Sequence, residues 1–363
     1  MLAVLGEKHC ACLGSDALLR TFGDNEEAQL GRDSDNQFIP KKIRVNKTFR
    51  VISCGLAFTA AIDSFGNVYT FGSNEKGELG KADKRAKNNI IEYQKAFSSP
   101  ACSIQSGYHH TLCLTEDGSL WAWGSNEDGQ LGLFTTQIQT CPQEVKISSP
   151  VSFIACGSYH SFVSLYSGEV WGSGNNIAGQ LGLGDTKNRQ EFTQLELSNT
   201  SYGPLEFSSI SCGSKHSIFL TPEGDVYATG LNARGQLGVT TPQIPLRSLT
   251  HVSGLQNIRE IACGYTHTAF VNQENALFLS GLGFAGCGRP PKRHPILKDV
   301  LTVSRGGFGL IVKTETGIWC TGVENTDALG SLEDPENRTV RFHEKYNHVI
   351  GSGRRSMPKS ARK

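Results

Sequence analysis

Little in this chain of 363 residues points to a membrane, a secretory route or a highly charged ligand. No apolar run approaches the roughly 18–20 residues that span a bilayer, so a spanning helix is excluded. Met1–His9 is too short in its apolar part for a secretory signal and lacks a basic start. Neither charge dominates: 35 Lys and Arg stand against 34 Asp and Glu, a formal +1, and no whole-surface field invites nucleic acid. Long 3.6-residue apolar stripes are absent, which argues against a helical bundle. The 11 cysteines are an odd number without a signal, so a reducing cytosolic or nuclear compartment is expected rather than a disulfide framework. Asn46, Asn199 and Asn337, each in an Asn-x-Ser/Thr match, then carry no glycosylation meaning. There is no Gly-x-Ser-x-Gly elbow and no His-Glu-x-x-His, and the expectation for catalytic residues, metal and cofactor is none.

What is abundant is glycine, 41 residues, and it recurs in register. Cys54–Gly80, Gly107–Gly132, Cys156–Gly182 and Cys212–Gly238 share one pattern. It reads Cys-Gly, two variable residues, His-Ser/Thr, an apolar run, a Gly turn, an aromatic-rich strand, then Gly-x-x-x-x-Gly-x-Leu-Gly. Gly6–Gly31 is a further copy, and Cys263–Gly288 and Gly306–Gly330 are weaker ones, making seven. The signature leucine falls at 30, 79, 131, 181, 237 and 329, with Cys287 in its place in the sixth copy. A period of about 50 residues is that of a propeller blade or similar array, so the chain is one long domain although its length would suit two or three. The third copy divides into strands Ala101–Gln105, Thr111–Thr115, Ser119–Trp123 and a fourth near Glu144–Ile147. Phe153–Cys156, apolar on both sides, suits a strand covered on both faces. The expected fold is all-β, a seven-bladed propeller of four-stranded antiparallel blades. Met1–Gly6 and His348–Gly353 both read as the innermost strand of one blade, and the sequence leaves open which closes the ring.

These residues, above all GSNEDGQLG at Gly124–Gly132 preceded by SGYHHTLCLTEDGSLWAW, resemble the regulator of chromosome condensation repeat over essentially the whole chain. Asn275 in place of the turn Gly, Cys287 in place of Leu, and Gly309 in place of His depart from the pattern in the last two copies. The expected organisation is a propeller over residues 1–353, a monomer without membrane contact, and a basic tail over 354–363.

Several motifs have plain structural readings. Gly72–Gly77 and Gly124–Gly129 are followed by Glu78-Leu79 and Gln130-Leu131, not the Lys-Ser/Thr of a phosphate loop, so they are turns. His9, His110, His160, His216 and His267 occur once per copy, too dispersed for a metal site, and are read as bonding their own blade's turn. Phe58 and Gly309 take that position in the other two copies. Cys54, Cys156, Cys212 and Cys263 read as small core residues, and Cys10 and Cys12 as a weak metal motif without a second pair. Asp83–Lys95 and Asp185–Leu205 read as surface loops. The tail, with Arg354, Arg355, Lys359, Arg362 and Lys363, is either a solvated end or a contact to nucleic acid, chromatin or a nuclear import partner.

Strand alternation puts the Gly-x-x-His and Gly-x-x-x-x-Gly turns on one rim. That rim gathers Phe58, Tyr108, Tyr159, Tyr265 and Phe308 with Glu7, Glu26, Glu27, Glu75, Glu127, Asp128 and Asp327, and with Lys8, Lys215 and Arg234 as basic exceptions. Aromatics ringed by charge compose a protein interface, unless they pack between blades instead.

The resemblance implies either guanine-nucleotide exchange on the small GTPase Ran, with chromatin association, or a non-catalytic binding platform, linked to small GTPases or to scaffolding. In exchange factors of the family an Asp commonly sits in the variable pair before the His. Here the pairs are Glu7-Lys8, Leu56-Ala57, Tyr108-His109, Ser158-Tyr159, Ser214-Lys215, Tyr265-Thr266 and Gly307-Phe308, and no extra hairpin is inserted in the third blade. The platform is therefore the preferred expectation, acting in the cytoplasm, the nucleus or both. A likeness to the plant ultraviolet receptor fails because Trp121, Trp123, Trp171 and Trp319 lie on strands, not in those turns.

Overall fold

The computed structural model describes residues 2–321 apart from 34–39, 83–90, 94–96, 198–204, 242–244, 282–288, 295–296, 305, 308 and 316. The basic tail, Phe308, Asp327, Cys287, Leu329 and His348–Gly353 lie outside these residues.

The described chain is an all-β propeller. Six four-stranded antiparallel sheets follow one another in sequence, then a sheet of three described strands, Val300–Ser304, Leu310–Thr314 and Gly317–Thr321. Within every sheet the strands lie in chain order, so each sheet is a meander. The first strands, among them Leu2–Leu5, Phe49–Cys54 and Ala101–Ser106, stand side by side around a central channel of about 400 Å³. Leu2–Leu5 also lies beside Val300–Ser304, and Leu5 bridges Gly306, so the N-terminal strand joins first sheet to last.

The core is distributed between the sheets rather than gathered at one centre. Ile218, Leu220 and Val226 of the fifth sheet pack on Ile258, Ile261 and Phe270 of the sixth. Leu112, Leu114 and Leu120 of the third meet Ile154, Val163 and Leu165 of the fourth. Second strands such as His110–Thr115 and His160–Leu165 are buried at every residue, their Ser and Thr included, because a neighbouring sheet covers each face. Each fully buried Leu, Ile or Val adds roughly 1.5–3 kcal/mol, so every seam carries its own share of the hydrophobic driving force.

The outer strands depart from the sequence reading. In the third sheet the fourth strand is Gln139–Val145 rather than Glu144–Ile147. It contains Pro142, which a strand tolerates because this one lies at the sheet edge. Asp185–Leu205 is not simply a loop: it holds the edge strand Arg189–Gln194, steadied by an Asp185–Arg189 ion pair at 2.8 Å. Ile91–Tyr93 is likewise an edge strand within Asp83–Lys95.

The turn joining second and third strands requires a left-handed residue. Gly118 supplies it at φ 81°. Asn275 does so at φ 60°, which an Asn tolerates, and Ala17 does so in the first sheet at φ 56°. Ala28, at φ 62°, similarly stands where Gly129 lies at φ 88° in the third sheet. A side chain in this region costs roughly 1–2 kcal/mol, partly offset by glycine's greater freedom in the unfolded chain. Ala17→Gly and Ala28→Gly should each stabilise the protein by about 0.5–1 kcal/mol. Chemical denaturation should show the midpoint rising with no change in the slope.

Candidate functional site

The Gly-x-x-His turns form the mouth of the channel, and their backbones are linked turn to turn from the first sheet to the last. Glu7 N–H donates to the Leu56 carbonyl (3.3 Å), Leu56 to Tyr108 (3.0 Å) and Tyr108 to Ser158 (3.1 Å). Ser158 donates to Gly213 (3.1 Å), Ser214 to Tyr265 (3.1 Å) and Tyr265 to Gly307 (2.9 Å). The glycine that opens each turn is required by space. A Cβ on Gly107 would lie 2.1 Å from the His110 ring and 2.4 Å from the Gly157 carbonyl oxygen.

The repeated histidines do more than brace their own turn. His9 Nε2 lies 3.0 Å from Thr59 Oγ1, His110 Nε2 3.0 Å from Ser161 Oγ, His160 Nε2 2.9 Å from Ser217 Oγ, and His216 Nε2 3.1 Å from Thr268 Oγ1. Each hydroxyl belongs to the next sheet. It donates back to the first sheet's signature carbonyl, at Gln29, Gln130, Gln180 or Gln236, at 2.7–2.9 Å. The hydroxyl proton is thereby committed, so the imidazole donates through Nε2–H. The expectation of a bond within one blade is corrected: the histidine joins two.

The seam between second and third sheets is wired differently. Phe58 occupies the His position, is fully buried, and packs on Leu79. It is therefore core and not part of the rim, contrary to the sequence reading, because it fills the volume the imidazole takes elsewhere. Thr111 Oγ1, which would have received the histidine, is buried without a partner. The Glu78 carbonyl accepts instead from Trp123 Nε1 at 2.8 Å. Glu78 itself stands where the other signatures have Gln29, Gln130, Gln180 and Gln236. Its buried carboxylate accepts from the Lys76 N–H at 2.8 Å and pairs with His109 Nδ1 at 2.7 Å.

Above the channel three tyrosines converge from the third, fourth and sixth sheets. Tyr108 lies edge-on to Tyr159, with ring centroids 5.2 Å apart, and reaches across to Tyr265 at 4.7 Å. Tyr265 is buried, whereas Tyr108, Tyr159, Glu7 and Lys215 are half-buried and Glu127 is exposed. Burial and then the Glu7 charge push the Tyr108 phenol up. Burial, then Asp128, Glu127 and Glu7, do the same at Tyr159. These shifts mark the carboxylates as close neighbours of the rings. Glu127 holds Lys76 at 2.5 Å, and Asp128 accepts from the Asn175 and Asn188 amides at 2.9 and 2.8 Å. The Gly-x-x-x-x-Gly turns meet the same mouth, as where Ser125 N–H donates to the His109 carbonyl at 2.7 Å.

The structure thus brings together Glu7, Tyr108, Tyr159, Tyr265, Glu127 and Asp128, and sets Lys215 on the turn of the fifth sheet. The Glu78–His109 pair went unread in the sequence. Its signal was a Glu where the repeat has Gln, facing a doubled His one repeat later. Among the described residues no group of His, Cys, Asp or Glu could hold a metal ion. Burial pushes the Cys54 thiol up to about 12, as in a thiol that neither reacts nor ligates.

A family model described as the RCC1-like domain matches residues 2–288, and the chain belongs to that family. It is 37% identical over 293 residues to human X-linked retinitis pigmentosa GTPase regulator, covering 77% of this chain and 28% of that protein. It is 29% identical over 355 residues to the Regulator of chromosome condensation of Xenopus laevis, covering 92% of this chain and 74% of that protein. The chain thus spans under a third of the first of these relatives. Among solved structures, yeast RCC1 (Prp20) bound to Kap60 superposes with a TM-score of 0.78 at 20% identity, over 90% of this chain and 81% of that one. Human WBSCR16 does so with a TM-score of 0.76 at 21% identity, over 86% of each chain.

Two predictions follow from the seams. Thr111→Val removes an unpartnered hydroxyl and should be neutral or stabilising by up to about 1 kcal/mol, whereas Thr268→Val breaks a relay and should cost about 1–3 kcal/mol. Urea denaturation of the two variants tests the contrast. The second concerns acid. Burial lowers His110, His160 and His216 from 6.5 to about 3, and His9 and His267 to about 4. Between pH 6.5 and those values the unfolded chain binds more protons than the folded one, so stability rises with pH across that window. Lowering the pH from 7 to 5 should cost on the order of 1–2 kcal/mol per histidine. The Tm should fall accordingly, and His160→Gln should flatten that dependence.

Proposed function

We propose that the chain is a non-catalytic protein-binding propeller whose channel mouth docks a protein partner, with a small GTPase the first class to test. In this reading the three-stranded sheet is the seventh blade of the ring. The observation that carries the proposal is the convergence of Tyr108, Tyr159 and Tyr265, from three different sheets, under the charges of Glu7, Glu127 and Asp128. Rigid aromatics with a charged surround are what interface hot spots are made of. The backbone links hold them without using their side chains, so the half-buried Tyr108 and Tyr159 present their outer faces for recognition. The GTPase class is suggested by the names of the relatives. The work would lie in the nucleus, the cytoplasm or both, and the basic tail at Arg354–Lys363 would add a salt-sensitive contact to chromatin or another polyanion.

A second reading, guanine-nucleotide exchange on Ran, draws support from the relative named Regulator of chromosome condensation, which matches 92% of this chain. Against it, the Asp128 carboxylate is already engaged by two asparagine amides, and Glu7 is the only acidic residue in the variable pairs.

Release of a fluorescent guanine nucleotide from purified Ran separates the readings. A platform leaves the rate unchanged, while acceleration by several orders of magnitude that Glu7→Ala abolishes would establish exchange. Capture from lysate should fail for Tyr108→Ala combined with Tyr159→Ala at an unchanged Tm. A large fall in Tm would instead make those tyrosines core.

A further inference from the structure

Glu78 and His109 form a group whose chemistry reaches the surface. The Glu78 side chain is fully buried, and an ionised carboxylate can only accept hydrogen bonds. Its 2.7 Å contact therefore calls for a proton on His109 Nδ1, which in the neutral form of the ring leaves Nε2 as an acceptor. The imidazole is about a quarter exposed, at 27%. Its ring centroid lies 6.1 Å from that of Tyr108, which in turn meets Tyr159 edge-on. In the neighbouring signatures a Gln amide supplies its own donor within the turn, as Gln180 does to Asn175 at 2.7 Å. Only at Glu78, among the described signatures, is a carboxylate substituted and a histidine from the next sheet recruited to meet it.

The patch is thus made of acceptors and aromatic faces: His109 Nε2, the Tyr108 and Tyr159 rings, and the carboxylates of Glu7, Glu127 and Asp128 around them. Opposing charge stands on the same ring of turns. Lys76 is held by Glu127, Lys8 stands on the turn of the first sheet, and Lys215 on that of the fifth.

We propose that the patch of Tyr108, His109 and Tyr159 recognises a cationic side chain, arginine in preference to lysine, carried on a basic segment of a protein partner. The inference rests on the docking reading and specifies its chemistry. A guanidinium can lie flat on a tyrosine face while directing an N–H to the imidazole nitrogen, a combination that a point-like ammonium cannot match. Glu78 is a positioning residue here, since it fixes which nitrogen accepts.

The test uses the full chain with fluorescein-labelled hexa-arginine, hexalysine and hexaglutamate, read by anisotropy at physiological ionic strength. Hexa-arginine should bind about 3- to 10-fold tighter than hexalysine, and hexaglutamate should not bind. Tyr159→Ala and Glu78→Gln should each weaken hexa-arginine about 3- to 10-fold at unchanged Tm. Gln occupies that position in four other signatures, so Glu78→Gln preserves the fold. Nitrogen chemical shifts should show His109 as the Nδ1–H tautomer in the parent and a mixture in Glu78→Gln. Equal binding by all three proteins, or preference for hexaglutamate, would overturn the proposal. So would a many-fold gain in affinity on deleting Arg354–Lys363, which would give the mouth to the chain's own tail. If hexa-arginine is ignored while the double tyrosine variant still loses a captured protein, the docking reading stands and the cationic one falls.

Discussion

A propeller blade is a small sheet with two apolar faces, and nothing within it decides how far it should sit from its neighbours. At four of the described seams that decision is made by a buried hydrogen bond passed from one sheet to the next. An imidazole donates to a hydroxyl, and the hydroxyl donates to a carbonyl back on the imidazole's own sheet. Because donor, acceptor and final carbonyl alternate between the two sheets, sliding either one by a fraction of an ångström strains both bonds. Hydrophobic area is tolerant of small slips, and buried hydrogen bonds are not, since an unmade one costs roughly 1–3 kcal/mol. The apolar seams supply the attraction, and the relays fix the register.

Much of this was legible in the sequence because the repeat states it several times over. The glycine before the two variable residues, the His-Ser/Thr pair and the Gln-Leu-Gly of the signature are recurrent and sit at the joints just described. The histidine was misread as bonding only its own blade's turn, since a single strand pattern says nothing of what lies across a seam. The hydroxyl beside the histidine is adjacent in sequence but serves the preceding sheet. Phe58 was misplaced for a related reason: it was weighed as an aromatic in a rim turn, when its position in the repeat is that of the buried imidazole. Outer strands such as Gln139–Val145 were placed late because an exposed edge carries no alternation to read and tolerates proline.

The seam between second and third sheets shows how one exchange propagates. With Phe58 in place of His, the Thr111 hydroxyl loses its donor. The carbonyl it would have served, that of Glu78, is taken by Trp123 Nε1. The Glu78 side chain, lacking the amide donor of a Gln, draws His109 into a contact that no other described seam has. Four departures that look independent along the chain are neighbours in space. They leave an oriented imidazole at the surface beside Tyr108.

This bears on why one four-residue turn can serve both scaffold and site. Its glycine is fixed by space, wedged between its own histidine ring and the next sheet's carbonyl. Its histidine is fixed by the relay. The first variable residue contributes only backbone to the links around the mouth, and at that position the chain has Glu7, Leu56, Tyr108, Ser158, Ser214, Tyr265 and Gly307. The second likewise contributes only backbone, its carbonyl accepting from the signature turn of its own sheet at 2.7–2.9 Å, and Lys8, Ala57, His109, Tyr159 and Lys215 all fit there. Side chains at these two positions can change in size, polarity and charge while every bond that links the turns is kept. The mouth is therefore where chemistry can be altered at least cost to stability. The tyrosines and the imidazole gathered there are not demanded by the fold.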